Sequence, residues 1–158
     1  MITKEDFKDL FNTWEWILDV QTKDLSQEDL LTQPQPGGNC MLWVLGHMVN
    51  SLSAMVIELG GSVPTVASTY ERFAPGSEPV LGYEKDLPSL DKIKEDFGAI
   101  SKMAIQALDK QSEEFFAEEA SDGQTNGGSL LFSSFHLSYH SGQLEYLRNL
   151  AGKTEKVI

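Results

Sequence analysis

The stretch FSSFHLSYHSGQLEYLRNL, residues 132–150, most restricts the folds open to this chain. Its large apolar side chains recur at three- and four-residue intervals, a period that fits a helix and defeats a strand. At about 100° per residue, Phe132, Phe135, Tyr139, Leu144, Tyr146, Leu147 and Leu150 fall on one broad face. Ser134, Ser138, Ser141, Glu145 and Asn149 fall on the other. The spacing therefore predicts a helix with its aromatic side in a core. His136 and His140 lie within that apolar face, one turn apart.

Three further segments carry the same period. Thr3 caps a first helix, with Asp6 at its third position. Phe7, Leu10, Phe11, Trp14, Ile17 and Leu18 form its inner row, and it ends near Lys23. Ser26 and Asp29 suggest a short second cap before the breaker QPQPGGN. Asn39 is the expected cap of a second helix over 40–59, with Leu42, Leu45, Val49, Leu52, Val56 and Leu59 inward and Gly60-Gly61 as its stop. Ser89 opens a third helix to about Lys110, with Leu90, Ile93, Phe97, Ile100, Ala104, Ala107 and Leu108 inward. EEFFAEEA is one more turn or a loop, DGQTNGG is a turn cluster, and Ser129 is the expected start of the fourth helix.

Between the second and third helices, residues 62–87 show no period and carry Pro64, Pro75 and Pro79, with Pro88 just beyond. A connection of that length is a crossover, a lid or a binding loop, and Phe73 and Tyr83 are its expected anchors. The fold class expected is all-α: a single domain over residues 1–158, a four-helix bundle with a long crossover between helices two and three. Helices one–two and three–four are expected as antiparallel neighbours, and the crossover permits two and three to run parallel.

Composition narrows the partners. The net charge of −12 repels a polyanion, which excludes nucleic acid. No unbroken apolar run reaches the ~18 residues that span a bilayer, and the N-terminus MITKEDFKDLF lacks the apolar stretch of a signal peptide. One cysteine, Cys40, precludes an internal disulfide and fits a reducing compartment. A cytoplasmic protein with no membrane partner is expected.

The histidine inventory carries the chemistry. An i, i+4 pair alone fits two hydrogen-bonded core histidines as well as two ligands. The chain has three histidines, and the third, His47, lies in the second helix on a flank with Val44, Ser51 and Glu58. Three neutral imidazoles from two helices, with one position open, is the pattern of a catalytic metal site. Such a site lowers the pKa of a bound water to about 7 or holds a thiol as thiolate. Cys40 lies about 10 Å from His47 along the axis, too far for a ~2.3 Å metal–sulfur bond; it is read as a buried, inert thiol. Asn50, Tyr139 and Gln143, with Ser51, are the other polar candidates near the site, Gln143 as a group that orients an imidazole or a substrate.

The segments NCMLWVLGHMV and FHLSYHSGQLEYLRNLAGK resemble the two signature segments of the DinB-like (YfiT-like) metalloenzyme superfamily. The resemblance is specific over about thirty residues (a reading of those two motifs) and follows the helix order of the whole domain. It implies a four-helix bundle with His47, His136 and His140 as ligands of a nickel or zinc ion. It also implies frequent homodimers and, in some members, transferase activity with a low-molecular-weight thiol such as bacillithiol or mycothiol. Relatives often carry Glu directly after the first histidine of the last helix; here it is Leu137, about 100° around the helix from His136.

Three functions are thus expected in turn. The first is a thiol-dependent S-transferase acting on a small-molecule substrate. The second is a metal-dependent hydrolase using bound water. The third is a non-catalytic metal-binding bundle. Trp16 and Phe116, aromatic residues outside the main stripes, suggest a homodimer surface.

Overall fold

The structure, a computed structural model, describes residues 3–35, 37–63, 69–120 and 123–158. Four long helices form among them: α1 (Lys4–Gln21), α2 (Met41–Glu58), α3 (Leu90–Asp109) and α4 (Asn126–Leu150). Their ends are set by local chemistry. Thr3 and Asp6 form a reciprocal capping box at α1, and the Ser89 hydroxyl accepts from the Lys92 amide at α3. Gly60, at φ +70°, ends α2: its amide donates to the Ile57 carbonyl and the Gly61 amide to the Val56 carbonyl, a Schellman closure. Ser26 and Asp29 exchange hydrogen bonds ahead of a 3₁₀ turn at Asp29–Leu31, and the EEFFAEEA segment makes another at Glu114–Ala117.

Two helix starts differ from the sequence expectation. Cys40, not Asn39, is the cap residue of α2, and it makes no side-chain cap bond. α4 begins a turn before Ser129, with the Thr125 hydroxyl accepting from the Gly128 amide. Of the glycines in the turn cluster, Gly123 does sit in a turn at φ +80°, whereas Gly127 serves close packing. A Cβ on Gly127 would lie 2.9 Å from the Phe116 carbonyl oxygen, so only glycine lets this first turn pass over the 3₁₀ segment.

The arrangement of the helices also departs from the expected order. α2 packs on α3 and α4, and α1 packs on α3 and α4, so α1–α2 and α3–α4 are the diagonal pairs. The stretches 22–40 and 110–125 are long enough, with their 3₁₀ turns, to cross an end of the bundle. Cross-links give the directions. Lys8–Asp109 at 2.6 Å and Lys94–Asp19 at 3.0 Å run α1 against α3. Gln111 donates to the Leu59 carbonyl, which puts the C-terminal ends of α2 and α3 together, so the crossover does join parallel helices. The buried Arg148 guanidinium of α4 donates to the Gln21 and Lys23 carbonyls at 3.3 and 2.5 Å, placing a cation at the C-terminal end of α1.

α2 is the central element. It is long and apolar enough, by length and composition alone, to cross a membrane, but most of it is buried within the protein. Its first nine residues are all buried, and the expected stripe from Leu42 to Leu59 is fully in the core.

On α4 the expected face is only partly the buried one: Leu144 and Leu147 are buried as expected, but the aromatic side is not. Phe132, Phe135, Tyr139 and Tyr146 are 56–66% exposed, and Leu150 is also exposed. The core face holds Leu130, Ser134, Leu137, Ser141, Leu144 and Leu147, an arc turned by roughly 130° from the expected one. Serines can enter because each hydroxyl is satisfied within the helix: Ser134 donates to the Leu130 carbonyl at 2.8 Å and Ser141 to the Leu137 carbonyl at 2.9 Å. Leu137, at the position where relatives often have Glu, is fully buried.

In the crossover, Phe73 is fully buried and anchors the chain, with Tyr70 beside it hydrogen-bonded to the buried Asp96 at 2.8 Å. Tyr83 is 78% exposed and anchors nothing. Pro64 lies outside the described residues. Phe116 is half-buried and stacked on Phe7, so it is not free surface; Trp16 is half exposed.

Candidate metal centre

The turn of α4 away from its aromatic face places the histidines at a seam. His136 and His140 lie between the buried arc and the exposed aromatic stripe, where α4 meets α2. His47 approaches from near the start of α2 and is almost wholly buried. The three ring centroids lie 4.5–5.1 Å apart. His47 Nε2 is 2.9 Å from His136 Nε2, and one nitrogen from each of the three lies within 4.8 Å of the others. Two bonds of about 2.1 Å at a tetrahedral angle set nitrogens about 3.4 Å apart, a spacing bracketed by the 2.9 Å pair and the 4.8 Å bound.

The outer nitrogens fix which atoms face inward. A carbonyl can only accept, so the 2.7 Å contact from His47 Nδ1 to the Phe73 carbonyl holds the proton on Nδ1 and leaves the Nε2 lone pair turned to the cluster. His140 Nδ1 likewise donates to Gln143 Oε1 at 2.7 Å, and Gln143 Nε2 donates on to the Tyr139 hydroxyl at 3.3 Å. Burial holds the pKa of His140 down to about 4, with the neighbouring imidazoles lowering it further and the Gln143 bond opposing them. Burial, then the charge of His47, lowers His136 as well. Neutral rings with converging inner nitrogens, free to give up the proton shared between His47 and His136, are what a divalent cation requires, so this donor set could hold a metal ion.

Two neighbours explain the residues around His47. A Cβ on Gly46 would lie 2.6 Å from the Phe73 ring, so glycine at this position lets Phe73 press against α2 and present its carbonyl to the next residue. One turn back, the Trp43 indole stacks on the His47 ring at 4.8 Å and 16°, while its Nε1 donates to Ser77 Oγ at 3.1 Å.

The cluster opens into a cleft of about 510 Å³. Its walls include Trp43 and Val44 of α2, Tyr139, Gln143 and Tyr146 of α4, and Pro34, Gly37, Gly38 and Asn39 from the connection before α2. Pro75 closes one side. Beyond it, a smaller recess of about 260 Å³, lined by Asn50, Ser51, Ala54 and Phe132, ends on the same His136. A separate recess of about 340 Å³ near Glu58 and Glu119 lies toward the other end of the α2–α4 pair and touches none of the histidines.

Of the sequence candidates, His47, His136 and His140 come together, with Tyr139 and Gln143 in the cleft. Asn50 and Ser51 belong to the smaller recess, and the Asn50 amide donates to the Tyr70 carbonyl at 3.3 Å. Cys40 is fully buried, 3.6 Å from the Val80 carbonyl; burial pushes its thiol pKa up, and it stays out of the cluster. Sequence reasoning missed Trp43, although its i−4 spacing from His47 was a usable signal. It also missed Tyr146, which had been assigned to the core. The Phe73 carbonyl carries no sequence signal, because every residue has one.

The family model described as the DinB superfamily matches residues 13–144. That span includes α2, the crossover, α3 and all three histidines. No curated protein matches the chain.

Proposed function

The chain belongs to the DinB superfamily, and from that premise we propose a metal-dependent S-transferase whose ion, zinc or nickel, is held by His47, His136 and His140. The observation that carries this reading is the convergence of three imidazoles at the junction of two recesses. Three protein ligands leave an open position, and two recesses offer room for two reactants. When bound, such an ion lowers the pKa of a thiol at its open position.

The chain's own residues supply orientation. Phe73 and Gln143 hold the outer nitrogens of His47 and His140, which keeps their Nε2 atoms aimed inward. Trp43 and the buried side of α2 keep water from the back of His47. No carboxylate lines the cleft among the described residues, so the proton of the thiol passes to solvent. With an ion held there, the chemistry supplied would be a thiolate-level sulfur able to form an S–C bond, with the electron pair of the broken bond leaving on the displaced group.

The test is elemental analysis of protein purified without a histidine tag, followed by a screen of small thiols against several electrophiles. Metal-dependent conjugation that requires added thiol supports transfer. Turnover without thiol supports hydrolysis by bound water instead. Bound metal that raises the melting temperature, with no turnover in either screen, leaves a non-catalytic metal-binding bundle.

The same reading includes a homodimer. Its support is the exposed aromatic stripe of α4, which has Gly142 at its middle with open space around it. A sedimentation mass of one chain at micromolar concentration would count against it. The lone buried cysteine fits a reducing compartment, and we place the protein in the cytoplasm.

A further inference from the structure

We propose that the larger cleft selects compact aromatic ligands with a single anchoring donor atom, and discriminates against flexible ligands that bear two or more negative charges. The proposal deepens the S-transferase reading, because it names the ligand class of the same site.

The first observation is chemical. Apart from the imidazoles, no ionisable group that is charged at neutral pH lines the cleft among the described residues. One anionic atom can face the ion. A second carboxylate or a phosphate on the same ligand finds no Lys or Arg to receive it, and anions enclosed without a partner are costly. The net charge of −12 opposes a polyanion further.

The second observation is the shape and material of the walls. The Trp43 indole is held edge and face, by Ser77 at its Nε1 and by His47 against its ring. Tyr139 and Tyr146, two turns apart on α4, line the same cleft, as do Pro34 and Pro75. Rigid rings bind another ring at little conformational cost, and a volume of about 510 Å³ lies within the range of small-molecule sites. The third observation is directional. The Tyr139 oxygen already accepts from Gln143, so its own O–H is left to donate to a ligand acceptor.

The experiment loads the full chain with Co(II) and follows sulfur-to-cobalt absorption during titration with thiophenol, mercaptosuccinate and 2-mercaptoethanol. Thiophenol is expected to bind at least about tenfold more tightly than mercaptosuccinate. Tyr146→Ala is expected to weaken thiophenol by about fivefold and leave 2-mercaptoethanol and the cobalt spectrum unchanged. Mercaptosuccinate binding as tightly as thiophenol, or Tyr146→Ala shifting both monothiols equally, overturns the selectivity. A second arm separates this from the ion reading: saturation-transfer NMR of benzyl alcohol on metal-free protein. Transfer that is strong in the parent and lost in Tyr146→Ala, from a chain that takes up no cobalt, upholds the aromatic cleft and overturns the ion site. Absence of that transfer in the parent overturns the aromatic cleft even where cobalt binds.

Discussion

Helices α2 and α4 meet at the histidine cluster but bury themselves by different rules. α2 presents a wide apolar surface and is enclosed on nearly every side at its N-terminal half. α4 leaves its largest side chains in solvent and buries serines, leucines and an arginine instead. In α2 size and burial go together, because several neighbours compete for the same apolar surface. In α4 the decisive quantity is how closely the backbone must approach α1 and α2. Small residues whose hydroxyls bond their own helix permit that approach, and the Trp14 indole reaches the Ser138 hydroxyl at 3.2 Å from α1. The aromatic side chains then remain for the cleft mouth and the stripe beside it.

The comparison can be broken most sharply at the seam. His140→Ala is expected to lower metal affinity by more than the ~10–100-fold typical of groups that only support a ligand, while the metal-free protein keeps its fold. Equilibrium dialysis with zinc, alongside circular dichroism, checks both halves. Leu147→Ala, nearly two turns further along the same buried edge, should do the reverse: about 2–5 kcal/mol of stability lost, affinity spared. An unfolded His140→Ala apo protein would make His140 a core residue.

Next is a direct contrast between the two stripes. Leu45→Ala on α2 removes a fully buried side chain and should cost about 2–5 kcal/mol by cavity formation. Phe135→Ala on α4 removes a larger but 66% exposed one and should stay within about 0.5 kcal/mol. Urea unfolding of the two variants at the same protein concentration decides it. A large loss at Phe135 would return the aromatic face of α4 to a core or an obligate interface.

Acid should act on α4 through His140. Its folded pKa, about 4, lies below the ordinary 6.5. The neutral ring's contribution is therefore fully present above pH 6.5 and is lost as pH falls from there towards 4. That difference sets a ceiling of about 3 kcal/mol for metal-free protein. His136 works in the same direction. The stability difference between parent and His140→Gln, measured from pH 7 to 4.5, isolates the effect; a difference that does not change over that range would contradict it.

The smallest effect sharpens the serine rule. Ser141→Leu adds volume where α4 packs closely and should cost about 1–3 kcal/mol by overpacking, although it raises hydrophobicity at a site that pattern alone would call polar. A neutral or stabilising result would mean that the close approach is not tight there.

The sequence by itself determined the four helices, the Thr3 and Ser89 caps, the Gly60-Gly61 stop, the α2 stripe and the three-histidine inventory, and it permitted the parallel crossover. These follow from local chemistry: a helical period, a capping hydroxyl, a glycine that tolerates positive φ, and a count of residue types. Tertiary structure alone decided the diagonal pairing of helices, because chain length between elements permits several arrangements and only packing selects one. It decided which side of α4 is buried, since a serine that satisfies its own hydroxyl is polar by composition and compact by volume, and composition cannot weigh the two. It also decided the aim of the histidines. That depends on a backbone carbonyl at Phe73, brought to His47 by a ring that fits only against Gly46, and contacts between residues distant in the chain leave no periodic trace.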